Sequence, residues 1–147
     1  MRGFTLLELL IVIAIVVILI GVTIAAINPA KQLSRANTAT RWANVTTIAN
    51  AVAQKIINDG GSWSCTGCPV TTTAVRIADT NCNLCSCLVT DYLGSLPSDP
   101  SKGTPPGQVT CGGAYDTHYD ISWSTTTGAY PRVTVTAVEE SGISVTR

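Results

Sequence analysis

The sequence predicts an α+β fold: a long N-terminal helix, membrane-spanning in its first half and amphipathic in its second, packed on a small antiparallel β-sheet head. Three patterns predict it. An almost unbroken apolar run extends from Phe4 to Ile27. A second stretch, to about Asn58, repeats apolar residues at spacings of three and four, the period of one helix face. Beyond residue 116, two stretches alternate apolar and polar residues, as half-buried strands do.

Within the first run the clearly polar residues are Thr5, Glu8 and Thr23. About 20 apolar residues, rising about 1.5 Å each, cross a bilayer core. A secretory signal peptide fits poorly, because its apolar region is about 7–15 residues and ends at a small-residue cleavage site. A plain signal anchor explains the length but not Glu8. A carboxylate in hydrocarbon costs roughly 3 kcal/mol or more unless it is neutralised or paired. Glu8 is therefore expected to have a partner.

Asn28-Pro29 interrupts the run, since proline removes a backbone donor and disfavours helix at the residue before it. A kink or short unwound stretch is expected there. Helix then resumes from Ala30, with Trp42, Val45, Ile48, Ala49, Val52 and Ile56 forming one apolar stripe. Asn44, Thr47, Asn50 and Gln54 lie mostly off it. Asp59-Gly60-Gly61 supplies the stop, because glycine accepts the left-handed cap conformation. Unbroken, about 55 helical residues would span roughly 80 Å.

The remainder is rich in Thr, Ser and Gly. Val75-Arg76-Ile77 is a strand candidate, and Leu84, Leu88, Tyr92 and Leu93 suggest a short helical or turn segment. Ser98-Asp99-Pro100 through Gly113 reads as loop. Tyr119, Ile121 and Trp123, then Val133, Val135 and Ala137, read as a hairpin turning at Thr126-Thr127-Gly128, with Ile143 to Thr146 as a third strand. With 147 residues and no formal net charge, the chain can bury one small core and offers no basic face for direct nucleic-acid binding.

The residues Gly3-Phe4-Thr5-Leu6-Leu7-Glu8, leading into the apolar run, resemble the leader-peptidase site of type IV pilins and of the pseudopilins of type II secretion. The resemblance implies that a prepilin peptidase cuts between Gly3 and Phe4, removing a three-residue leader, and methylates the new amine of Phe4. It also places Glu8 where the family has its assembly glutamate, which meets the Phe4 amine of a neighbouring copy. Phe4 and Glu8 are four apart, so a helix through both would put them on one face. Methylation leaves the amine cationic. The segment Leu93-Gly94-Ser95-Leu96-Pro97-Ser98-Asp99-Pro100 also resembles the loop before the sheet in major pseudopilins.

The chain accordingly divides into a leader (1–3), a transmembrane and filament-core helix (4–27), its amphipathic continuation (28–61) and a globular head (62–147). Implied partners are copies of the chain, the prepilin peptidase, the membrane as precursor, and a membrane pilus or secretion assembly machinery. The implied location is the cytoplasmic membrane, N-terminus in, then an extracellular filament at the cell surface. Charge counting runs the other way: Met1 and Arg2 precede the span, whereas Lys31, Arg35 and Arg41 follow it. The cleavage motif is the more specific signal. A pseudopilin of a secretion or DNA-uptake system shares this N-terminal design.

Six cysteines, Cys65, Cys68, Cys82, Cys85, Cys87 and Cys111, lie beyond the helix. Two Cys-x-x-Cys pairs separated by thirteen residues suggest zinc, and with it a membrane-tethered zinc module facing the cytoplasm. An exported head meets an oxidising compartment, so three disulfides are expected instead. Six cysteines allow fifteen pairings; the preferred pair is Cys87 with Cys111. Asp91, Asp99, Asp116 and Asp120 are candidate calcium ligands, as in the head loop of some pseudopilins that this region resembles; loop aspartates more often form turns and caps. His118, the sole histidine, is expected to face outward from a strand. No catalytic constellation and no cofactor motif is present, so no enzymatic activity is expected. The sequon Asn44-Val45-Thr46 falls on the proposed helix and is read as chance.

Overall fold

Thr5 starts the first helix. Its backbone is extended (φ −80°, ψ 151°) and its hydroxyl accepts the Glu8 N–H at 3.2 Å, satisfying one of the free donors of the first turn. In the computed structural model, which describes residues 3–124 and 131–147, helix α1 runs Leu6–Ile27 and α2 Pro29–Asn58. They are followed by β1 (Val75–Ala78), α3 (Cys85–Leu88), β2 (Leu96–Pro97), β3 (Gln108–Val109), β4 (Asp116–Ser124), β5 (Arg132–Ala137) and β6 (Ser144–Thr146). The fold is α+β. The expectations for Met1, Arg2 and the turn Thr126-Thr127-Gly128 lie outside the described residues.

The chain divides into two units, Met1–Ala36 and Asn37–Arg147. In the first, Leu6–Ile24 has a mean hydropathy of 3.1 and none of it is buried. This stretch is long and apolar enough to cross a membrane. Thr23 returns its hydroxyl to the Ile20 carbonyl at 2.9 Å, so the span shows no unmet hydroxyl donor there. The expected interruption occurs at Asn28, which is left-handed (φ 43°, ψ 80°). Asn28 closes α1 and opens α2: its carbonyl and its side-chain Oδ1 both accept from the Lys31 N–H, at 3.1 and 3.3 Å. Pro29 then takes the first helical position, where its missing donor costs nothing.

The second unit is built on the buried stripe of α2: Arg41, Val45, Ile48, Ala49, Ala51, Val52 and Ile56. Trp42, expected on the stripe, is 44% exposed, and Arg41 takes the inward place. The helix ends as expected, with Gly60 and Gly61 at positive φ. The Gly61 and Gly60 N–H groups reach back to the carbonyls of Ile56 and Ile57, at 2.8 and 3.2 Å.

The main sheet has the order β1-β4-β5-β6, antiparallel throughout. Tyr119 pairs with Ala137, Ile121 with Val135 and Trp123 with Val133. All six are buried and form one core cluster with the α2 stripe. Burying each large aliphatic side chain stabilises by about 1.5–3 kcal/mol. Between Arg76 and Ala78 the β1–β4 register shifts, and opposite this bulge His118 adopts φ 62°.

The stretch expected as loop from Ser98 to Gly113 contains the short strand β3, which pairs with β2 just before the stretch, and Thr104, which bridges Asp116. The β2–β3 pairing closes a loop whose centre is Asp99, fully buried. Asp99 Oδ2 accepts from Arg41 Nε at 2.6 Å. Its Oδ1 accepts the N–H groups of Ser101 and Lys102 at 2.8 and 2.9 Å, and the Ser101 hydroxyl at 2.9 Å. Arg41 also reaches the Ser101 hydroxyl at 2.9 Å and Glu140 at 3.6 Å. A Cβ on Gly103 would come within 2.8 Å of the Asp99 carbonyl, so the loop wraps too tightly there for any other residue. Asn44 adds bonds from α2 to the Ser98 carbonyl and the Tyr119 hydroxyl, both at 3.0 Å.

Burial pushes the Asp99 carboxyl up, but the Arg41 bond and then the Ser101 and Lys102 donors outweigh it, holding the group at about 2 against an ordinary 3.8. The depressed value makes this stability fully present above pH 3.8 and lost as pH falls toward 2. Acid titration of the unfolding free energy should therefore show a loss of about 2 kcal/mol in that window, absent from Asp99→Asn. Arg41→Met leaves a buried lone carboxylate and should cost about 3–5 kcal/mol in denaturant unfolding.

Candidate functional site

Gly3, Phe4 and Thr5 precede α1 in non-helical backbone, and all three are exposed, Phe4 to 84%. The bond between Gly3 and Phe4 is therefore accessible. Phe4 and Glu8 do not share a helix face, contrary to the expectation. The Thr5 cap starts the helix at Leu6, which leaves Phe4 two residues upstream. Glu8 is the third helical residue, and Thr5-Leu6-Leu7-Glu8 has the spacing of a capping box. The forward bond of that box is made. Among the described residues the Glu8 carboxylate has no hydrogen-bond or ion-pair partner, and it is exposed. At this position it also complements the positive end of the α1 dipole. An acid in the first turn with both oxygens open can accept a cation from outside its own helix.

The six cysteines form three disulfides and none is free: Cys65–Cys87, Cys68–Cys82 and Cys85–Cys111. This sets aside the zinc reading, because no thiolate remains to bind metal. It also corrects the preferred pair Cys87–Cys111. On α3, residues 85 and 87 are about 200° apart around the axis. Cys85 faces the core and takes Cys111, whereas Cys87 points the other way and takes Cys65. Asn83 sets this phase: its side chain accepts the Cys85 N–H and the Tyr115 hydroxyl, both at 3.0 Å.

The candidate calcium ligands are not gathered. Asp99 is held by Arg41. Asp116 and Asp120 share Arg76, at 3.3 and 2.7 Å. Asp91 accepts the Thr90 hydroxyl. Among the described residues no three His, Cys, Asp or Glu side chains are grouped as metal ligands. His118 lies on the outer side of β4, between Arg76 Nη1 and Glu139 Oε1, each at 3.1 Å. Arginine only donates, so the geometry assigns Nδ1 as acceptor and Nε2–H as donor to Glu139. The sequon residue Asn44 is half-buried, with its amide engaged.

Sequence reasoning missed Arg41, Asp99 as its partner, Asn44 and the capping role of Thr5. The Thr5 cap was open to recognition from Thr-x-x-Glu before an apolar run. No sequence signal joins Arg41 to Asp99, which lie 58 residues apart.

Residues 1–24 match the family described as the prokaryotic N-terminal methylation motif. The match supports a protein of type IV pilin or pseudopilin type. It also implies processing by a prepilin peptidase and handling by pilus-type assembly machinery. With α1, the motif indicates a membrane-anchored precursor. Neither the curated proteins nor the solved structures contain a significant match to the chain.

The disulfides predict the outcome of peptide mapping under non-reducing conditions: linked peptides carrying Cys65–Cys87, Cys68–Cys82 and Cys85–Cys111. A zinc-bound form with free thiols is the opposing result.

Proposed function

We propose that the chain is a structural subunit of a type IV pilus-like extracellular filament, with no enzymatic activity of its own. Prepilin peptidase cuts between Gly3 and Phe4 and methylates Phe4, and the processed chain polymerises through α1. The observation that carries this reading is the methylation motif over residues 1–24, in register with an exposed Gly3–Phe4 bond, an open Glu8 carboxylate and an apolar helix. Within one chain, none of Leu6–Ile24 is buried. Leaving the bilayer, this stretch needs an apolar surface to replace lipid, and other copies of α1 supply one.

Glu8 sets the register of that bundle. In a low-dielectric bundle an unpaired carboxylate is costly, and the methylated amine of a neighbouring Phe4 is a cation of the right kind to pair with it. The pair selects one axial alignment over others whose apolar contacts are nearly as good. The three disulfides restrict the unfolded chain and hold the loop-rich stretch between residues 62 and 111 outside the cell.

N-terminal mass analysis of filaments sheared from intact cells is the direct test, and a methylated Phe4 is expected. A processed chain retained in the envelope would indicate a pseudopilin instead. Glu8→Ala should insert in the membrane at the normal level yet reduce filament yield at least about tenfold, the loss expected when one partner of a buried pair is removed. Normal yield from that variant would remove the role assigned to Glu8.

A further inference from the structure

Within Asn37–Arg147, α2 and the β5–β6 hairpin lie alongside each other. Arg41, near the middle of α2, meets Glu140 at 3.6 Å, and Asn50 meets Arg147 at 2.8 Å further along the helix. Arg41 to Ile57 spans about 24 Å of helix. Arg132 to Val138 spans about 20 Å of strand. The unit therefore has two ends about 20 Å apart, and they differ in charge.

At one end, Ala53, Ile57, Pro131, Arg132 and Arg147 line a cavity of about 700 Å³. Ile57 is 74% exposed. Among the described residues no acidic side chain lines this cavity, and the Arg132 side chain has no ion-pair partner. Arg147 uses Nε on Asn50 and Nη1 on the Thr146 carbonyl, which leaves Nη2. At the other end, Val138 is 37% exposed beside Glu139. Glu139 uses Oε1 on His118, and among the described residues its Oε2 has no partner. One end is apolar and basic, the other apolar and acidic.

We propose that the Val138–Glu139 corner of one copy seats in the Ile57–Arg132–Arg147 socket of the next. Val138 covers Ile57, and the free Glu139 oxygen meets Arg132. The two surfaces are different and sit at opposite ends, so the contact is heterologous and leaves a fresh socket and a fresh corner at each step. Such a contact propagates as an open chain rather than closing as a dimer. This inference rests on the filament reading above and names a contact between heads in addition to the one through α1. Opposite charge at each joint also disfavours wrong alignments, because like charges brought together are costly.

The test is a charge swap in the full-length chain in its native cell, read as the yield of sheared filaments. Arg132→Glu and Glu139→Arg should each lower the yield about tenfold, and the double reversal should restore it to within about threefold. Unchanged yield from both single variants, or no restoration in the double, overturns the proposal. A socket built for an unrelated anion would give the second of these results. Detergent-extracted subunits are assayed for free thiols, since three intact disulfides report a folded head. If Glu139→Arg disturbs His118 and the fold, Glu139→Gln keeps the acceptor while losing the charge, and it should still lower the yield. Glu8→Ala separates the two readings. If Glu8→Ala abolishes filaments while the head reversals leave them normal, the head contact alone fails. If the wild-type chain forms no filaments, the filament reading fails and takes this contact with it.

Discussion

The Arg41–Asp99 pair is the constraint on which the arrangement of the second unit depends. Asp99 is completely buried, and its two oxygens are bound by a helix side chain and by its own loop. Its backbone joins the same hub: its N–H donates to the Thr117 carbonyl of β4, and its carbonyl accepts from Gly103. One residue thus ties α2, the 98–107 loop and the sheet. The net energy of such a pair is modest, because two charges must leave water. Its value lies in discrimination. A helix rotated by one residue would bury Trp42 and strand Asp99, so the pair fixes which face of α2 meets the sheet.

The disulfides solve a different problem. Between Gly61 and Asp116 regular structure is sparse: one four-residue strand, a single-turn helix and two strands of two residues. So little hydrogen-bonded ladder cannot hold fifty residues in place by itself. Three crosslinks lower the entropy of the unfolded chain. The two half-cystines on α3 draw the segment near Cys65 to one side and Cys111 to the other. The rings of Trp63 and Trp123, tilted by 42° with centroids 4.8 Å apart, pack on each other where this segment meets β4.

At the N-terminus a small polar device sits in an apolar context. Thr5 fixes where α1 starts, and that start decides that Glu8 lies in the first turn with its carboxylate open. A helix beginning further upstream would have put Phe4 inside the coil and hidden the Gly3–Phe4 bond in hydrogen-bonded backbone. Under the proposed function the cap serves two needs at once: it leaves the Gly3–Phe4 bond accessible, and it leaves the Glu8 carboxylate open to a cation on another chain.

Much of the architecture was legible because it rests on local pattern. The apolar run gave α1, the Asn28-Pro29 break and the Gly60-Gly61 stop gave the bounds of α2, and period-two alternation gave β4 and β5. The methylation motif was legible for the same reason, being a contiguous register of Gly3, Phe4 and Glu8. What the sequence alone could not determine were the choices between residues far apart in the chain: Arg41 rather than Trp42 facing inward, Asp99 as an ion-pair partner rather than a calcium ligand, and Cys85 rather than Cys87 joined to Cys111. Each depends on the phase of a helix against a distant segment. Local periodicity defines a helix face to within a residue or so. Burial of a specific charge or half-cystine selects one phase, and that selection exists only once the chain has folded.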